Sequence, residues 1–138
     1  MKLSLMLVIM LMSVQVASAE IAVIAHPDLT LQKLDKPQVK RLFLGKTKVL
    51  SGVRRIELVD QPENSGIRDY FYKQVAKKNA AQLQAYWAKR IFSGKGVPPA
   101  VLNDSAAVLA WVKKTKGGVG YIDAGVVDPG VKILYRFK

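Results

Sequence analysis

Residues 54–71 carry the sequence RRIELVDQPENSGIRDYF, which joins a predicted strand to a predicted helix through a short polar turn. Apolar and polar residues largely alternate over 54–60, as they do in a strand, and the Pro-Glu-Asn of 62–64 is typical of a loop. Ser65 is a favoured helix N-cap, and apolar residues follow it at helical spacing. This strand, turn and helix predict an α/β fold.

The start of this helix is the candidate binding site. The first N–H groups of a helix have no intrahelical partner and lie at the positive end of the helix dipole, so they attract anions. Gly66 leaves the backbone open to a ligand, and the Ser65 hydroxyl and the Arg68 guanidinium are suitable side-chain donors. We therefore expect an oxyanion to bind the N–H groups of Gly66 and Ile67, with Ser65 and Arg68 as further ligands.

The same segment resembles the phosphate-binding segment of the periplasmic phosphate-binding proteins of ABC transporters, the PstS-like family, where Ser-Gly-Thr commonly follows an Arg-Ser-Asp-Gly turn. Three other segments resemble that family in the same order along the chain: LFLGK at 42–46, YWAKRIFSGKG at 86–96 and GGVGYI at 117–122. The resemblance implies a type II periplasmic-binding fold. It covers one lobe of that fold, a single three-layer α/β lobe with a mostly parallel sheet.

Two positions in the turn and helix differ from the family pattern. Gln61 stands where the family has arginine, and Ile67 stands where it has threonine. Gln61 and Asn64 are further candidate ligands from the turn. Arg68 could supply a replacement charge from the first helical turn, and Arg54 or Lys95 could approach the site. The resemblance implies that the chain binds phosphate or a similar oxyanion, with an ABC permease as its partner in phosphate uptake.

The alternative function is a periplasmic interaction or sensory module with the same lobe fold. Such a module would have lost tight phosphate binding and would bind a membrane sensor or an anionic envelope polymer. The composition suits both functions, since the chain has 22 basic and 10 acidic residues and a net charge of +12. The basic residues are spread along the chain instead of forming one block, which favours small anions or anionic surfaces over nucleic acid.

The N-terminus has the pattern of a secretory signal peptide. Lys2 precedes an apolar run over 3–12, and Ala17-Ser18-Ala19 provides a small-residue cleavage site. We expect a signal peptide at 1–19, cleavage after Ala19, a single domain over 20–138 and a periplasmic protein. The apolar run is shorter than the ~20 residues of a membrane span, and we expect no transmembrane helix in the mature chain.

We expect neither a cofactor nor a metal, and no enzymatic activity. The chain has no cysteine and one histidine, His26, so its residues form no recognisable metal-ligand cluster. A hydrolase would need a base for Ser65, and the one arrangement available would combine Ser65 with His26 and Asp28.

The hydrophobic pattern predicts the element order β-α-β-α-α-α-β-β. α/β domains with a largely parallel sheet bind their ligands at the carboxyl ends of the strands. The 60–65 turn lies at such an end. Phe71, Trp87 and Trp111 each fall on an apolar helical face, and we expect all three to be largely buried.

Overall fold

The computed structural model describes residues 20–50, 52–53 and 55–137, so the predicted signal peptide and Arg54 lie outside the described residues. The described residues form five strands and four α-helices in the order β-α-β-α-α-β-α-β-β. The strands are β1 Ile21–Ala25, β2 Glu57–Asp60, β3 Ala100–Val101, β4 Gly118–Asp123 and β5 Lys132–Phe137. The helices are α1 Lys36–Phe43, α2 Gly66–Ala76, α3 Ala80–Phe92 and α4 Ser105–Lys114, and a 3-10 turn at Ala124–Val126 follows β4.

Each helix begins after a residue whose side chain caps it. The caps are Asp35, Ser65, Asn79 and Asp104, and each accepts a hydrogen bond from the backbone N–H three residues later. The caps of α1 and α3 are reciprocal, because Gln38 and Gln82 accept in return from the backbone N–H of the cap residue. Such caps contribute about 1 kcal/mol each to stability, and they fix where each helix starts.

The strands form one sheet in the order β3-β2-β4-β1-β5. β2 is parallel to both of its neighbours, β3 and β4, whereas β1 is antiparallel to β4 and β5. Four of the five strands therefore run in one direction, which confirms the mostly parallel sheet. We call the end of the sheet where β2 and β4 finish the carboxyl end, and the opposite end the amino end.

Helices cover both faces of the sheet, which gives the predicted three-layer α/β lobe. Alternate residues of β1 point to opposite faces: Ile21, Val23 and Ala25 join the larger core, and Ala22 and Ile24 join the smaller one. The larger core contains the buried apolar residues of α1, α2 and α3, and the smaller contains those of α4. β1 is buried on both faces, which explains why its sequence is wholly apolar.

Two predictions about the fold need correction. The predicted order has no strand between the third and fourth helices, where β3 lies; its two residues are exposed and lie at the edge of the sheet, so no periodic pattern marks them. Phe71 and Trp87 are buried as expected, but Trp111 is only partly buried. The Trp111 ring lies close to Gly118, where a Cβ would meet its Cζ3 atom, so part of the indole is covered.

No helix among the described residues combines the length and the apolar character that a bilayer span requires.

Candidate functional site

The predicted site lies at the carboxyl end of the sheet, in the turn between β2 and α2. The turn closes on itself, because the Ser65 N–H donates to the Pro62 carbonyl at 2.9 Å. Ser65 is extended, with φ −81° and ψ 125°, and its Oγ accepts from the Arg68 N–H at 3.3 Å. This is N-cap geometry, so the side chain of Ser65 fixes the start of α2. The Ser65 hydroxyl still has its own hydrogen to donate.

The backbone at Gly66 and Ile67 is open. Neither N–H group donates to an acceptor within the described part of the chain, as expected for the first residues of a helix. Gly66 is exposed, and a Cβ added there would meet no atom within 4 Å. Its φ is not positive, so neither backbone conformation nor packing requires a glycine here. The absence of a side chain leaves the N–H groups accessible to a ligand.

A buried carboxylate lies behind this turn. Asp60, the last residue of β2, accepts hydrogen bonds from the Tyr72 hydroxyl at 2.5 Å, from the Tyr121 hydroxyl, and from the Gln61 N–H at 2.7 Å. Asp60 and both tyrosines are buried. The carboxylate therefore ties β2 to α2 and to β4, and it fixes both sides of the turn.

Arg68 is the fourth group around this carboxylate. Its Nε lies 3.6 Å from the Asp60 Oδ1, its guanidinium lies 5.3 Å from the centre of the Tyr72 ring, and its side chain is 9% exposed. The Nε is buried and has no hydrogen-bond partner among the residues that the structure describes. The sequence predicted Arg68 as a ligand reaching out from the first turn of α2. In the structure it is packed inward, and Asp60 balances its charge at the base of the turn.

Burial favours the protonated form of both tyrosines. It raises the pKa of Tyr72 well above the usual value, and the negative charge of Asp60 raises it further. The pKa of Tyr121 is raised by the same two causes in the same order. Both hydroxyls therefore remain hydrogen-bond donors to Asp60 at neutral pH.

The other two candidate ligands from the turn differ in exposure. Asn64 is exposed and lies at the surface of the turn. Gln61 is buried, and its Nε2 donates to the Tyr121 carbonyl at 2.9 Å and to the Ser105 Oγ at 3.3 Å. The Ser105 Oγ also accepts from the Asp123 N–H at 3.0 Å. Gln61 thus joins β2 to β4 and to the start of α4.

A cleft of about 410 Å³ adjoins Gly66 and Ile67. Its lining also includes two acidic residues, Glu20 and Asp123. The carboxylate of Glu20 lies 3.9 Å from Arg136, and that of Asp123 accepts from the Gly125 N–H at 2.8 Å. These carboxylates lower the positive potential in the cleft, so the N–H groups and the helix dipole supply most of the attraction for an anion there.

The sheet topology places the residues of the possible hydrolase arrangement at opposite ends of the sheet. His26 follows β1, which is antiparallel to β4, and its N–H donates to the Gly118 carbonyl at the start of β4. His26 and Asp28 therefore lie at the amino end of the sheet, whereas Ser65 lies at the carboxyl end. Lys95 precedes β3 and is also at the amino end, away from Ser65. In the described part of the chain, no three His, Asp or Glu residues form a group that could hold a metal.

The cluster of residues around Asp60 was not among the predictions made from the sequence. The sequence pattern predicts Asp60 as the end of a strand and Arg68 as an anion ligand, and it makes no prediction for Tyr72. The available signal is their spacing of four residues, which places Arg68 and Tyr72 on one face of α2.

Solved structures similar to this one cover 84% of the chain. A protein from Clostridium perfringens assigned as a phosphate ABC transporter substrate-binding protein, solved with bound phosphate, is 25% identical with a TM-score of 0.67. An ABC-type phosphate transport receptor from Vibrio cholerae is 19% identical with a TM-score of 0.59. PstS from Borrelia burgdorferi is 17% identical with a TM-score of 0.63.

The chain spans 45% to 47% of the length of these three proteins. It is therefore similar to part of a PstS-like protein, and its fold matches a single lobe of the periplasmic-binding-protein fold. No family model matches the sequence, and a search of curated proteins finds no match.

Proposed function

We propose that this chain is an exported solute-binding protein that binds phosphate or a similar oxyanion at the start of α2. The observation that carries the proposal is the open backbone at Gly66, where two N–H groups have no acceptor among the described residues and the fold itself has no need for a glycine. The similarity to a structure with bound phosphate, over 84% of this chain, supports the same ligand class.

In the proposed site, the N–H groups of Gly66 and Ile67 donate to the anion, and the Ser65 hydroxyl adds a third donor. Arg68 acts from behind the turn, because its guanidinium is buried against Asp60. It contributes a partly balanced positive charge and holds the helix start in place. Asn64 can add a donor from the surface of the turn.

We expect this site to be weak. Gly66 is exposed, and water screens charge-assisted hydrogen bonds far more at a surface than in a closed cleft. The predicted signal peptide at 1–19, with predicted cleavage after Ala19, supports export, and we propose that the protein is periplasmic. An ABC permease is the partner that this function requires.

The alternative, an interaction or sensory module, is favoured by one specific observation. Glu20 and Asp123 line the cleft beside Gly66, and two carboxylates at an anion site reduce its affinity. A module that had lost its ligand would tolerate them.

Calorimetric titration with phosphate, with sulfate, and with chloride as the ionic-strength control tests the proposal. Gly66→Val should abolish the saturable heat, because a branched side chain covers the N–H groups without changing the net charge. Ala80→Val is the matched control, since Ala80 is the first residue of α3. Lys114→Ala controls for charge, because Lys114 is exposed at the far end of α4.

The proposal is wrong if phosphate, sulfate and chloride act alike at equal ionic strength. It is equally wrong if Gly66→Val binds phosphate as tightly as Ala80→Val does. Either result would favour the alternative function, that of an interaction or sensory module.

A further inference from the structure

The C-terminal end of α3 exposes large apolar side chains to solvent. Phe92, the last residue of α3, is 95% exposed, Ile91 is 51% exposed, and Val97 in the following loop is 74% exposed. A phenylalanine with almost its whole ring in water gains nothing for the fold. We call residues 91–97 the Phe92 tip.

The tip is surrounded by positive charge. Residues 80–102 contain three basic residues, Lys89, Arg90 and Lys95, and no acidic residue. Lys48 faces the tip across a cleft of about 310 Å³, which Val97 also lines. The stretch from 36 to 56, which contains Lys48, also has no acidic residue. The tip therefore combines exposed apolar side chains with a local excess of cations.

The tip is held in one conformation by hydrogen bonds. The Gly94 and Lys95 N–H groups donate to the carbonyls of Ile91 and Arg90 at 3.1 and 2.9 Å. The Ser93 hydroxyl donates to the Lys89 carbonyl at 2.8 Å. Arg90 anchors the base, since its Nη2 donates to the Gly45 carbonyl at 2.9 Å. The tip therefore loses little conformational entropy when it binds a partner.

We propose that the Phe92 tip docks onto the surface of an anionic lipid bilayer. Phe92 and Ile91 would enter the boundary between headgroups and acyl chains, while Lys89 and Lys95 would contact anionic headgroups. A lipid bilayer is fluid and can surround exposed apolar side chains, and its anionic headgroups can contact the basic residues beside them. A protein partner would need a preformed cavity for a ring that is exposed on all sides, and a second copy of this chain would carry the same charge of +12.

This docking surface is independent of the proposed anion site. The loop of the tip leads into β3, which is parallel to β2, so the tip lies at the amino end of the sheet. Ser65 and Gly66 lie at the carboxyl end. A bilayer bound at the tip would leave the start of α2 facing away from the lipid.

Co-sedimentation with vesicles tests the proposal, using the protein in the form recovered from expressing cells. The vesicles are phosphatidylcholine with about 30% phosphatidylglycerol, and phosphatidylcholine alone is the charge control. Phe92→Ser should lower binding to the anionic vesicles about tenfold or more, which reflects the loss of one buried ring. Its melting temperature should not change, because Phe92 makes no buried contact. Val126→Ser is the matched control, since Val126 is an exposed apolar residue elsewhere in the fold.

A second variant reads out insertion directly. Phe92→Trp should bind like the unchanged protein and should give a blue-shifted emission with anionic vesicles. Gly66→Val should keep full vesicle binding, which separates docking at the tip from headgroup phosphate bound at the start of α2. Equal binding by Phe92→Ser and Val126→Ser would overturn the proposal. Phe92-dependent binding to polyglutamate without binding to vesicles would also overturn it, and would identify an acidic protein segment as the partner.

Discussion

Gly66 and Gly117 lack a side chain for different physical reasons. Gly117 has φ +81°, and a Cβ there would clash with the carbonyl oxygen of Arg55. Gly66 has neither constraint, since the space around it is empty. The fold therefore accounts for one glycine and leaves the other to be explained by function.

Alanine substitution separates the two glycines. Gly117→Ala should destabilise the protein by about 2 kcal/mol or more, because it adds a left-handed backbone conformation to the clash. Gly66→Ala should leave stability unchanged or raise it by up to ~1 kcal/mol, since alanine is the better helix former. Urea unfolding of both variants measures the difference. Equal losses would mean that Gly66 also has a structural role.

Trp87 and Trp111 lie on the helices that cover the two faces of the sheet, and their burial differs. Trp87 is buried in the larger core against Gly45, whereas Trp111 is partly exposed over Gly118. Trp87→Ala should cost ~3–5 kcal/mol, because it leaves a cavity in a close-packed region. Trp111→Ala should cost clearly less. Chemical denaturation compares them, and similar costs would contradict the assigned burial.

The unit of β2, the turn and α2 depends on one carboxylate with four neighbours. Asp60 joins Tyr72, Tyr121, Gln61 and Arg68, so the turn that carries Ser65 is closed at its base by a buried ion pair and two tyrosines. Removing one member of such a pair costs about 3–5 kcal/mol, because the other charge stays buried and uncompensated. For this reason Arg68→Ala is a poor test of ligand contact, since loss of binding would follow from loss of the turn.

The two tyrosines predict how stability depends on pH. Their pKa values are raised in the folded protein, so their contribution is complete below about pH 10, the usual tyrosine pKa, and falls as the pH rises above it. Above that pH each buried tyrosine lowers the free energy of unfolding by about 1.4 kcal/mol per pH unit. Urea unfolding between pH 8 and about pH 11 should show this decline. Tyr121→Phe should lower stability at pH 8 and roughly halve the alkaline slope, and an unchanged slope would show that the tyrosines do not cause it.

Local patterns predicted most of the elements but not the contacts between them. β1 follows from five apolar residues, and the start of α2 follows from Ser65, because both signals lie within the element itself. β3 was missed since two exposed residues carry no periodicity. The inward position of Arg68 depends on Asp60, a residue eight positions earlier, and on how the turn brings them together. The pattern of charged residues along the sequence does not by itself predict the ion pair between Arg68 and Asp60.

For the chain as a whole, the N-terminal sequence leads to a prediction about processing. Lys2, the apolar run and Ala17-Ser18-Ala19 predict cleavage after Ala19. Protein recovered from the periplasm should therefore begin at Glu20, the residue just before β1. N-terminal sequencing of the native protein decides the point. Recovery of the chain with Met1 intact would contradict both the cleavage and the proposed export route.

The position of β1 in the sheet has a consequence for biosynthesis. β1 is made before the other described strands, yet it pairs with β4 and β5, the last two. While the rest of the chain is still being synthesised, its five apolar residues have no partners and are open to aggregation or to chaperones. Stalled nascent chains ending before β5 should therefore stay sensitive to protease, and resistance should appear only once residue 137 has emerged. The sheet is therefore completed late in synthesis, when β4 and β5 pair with the two edges of β1.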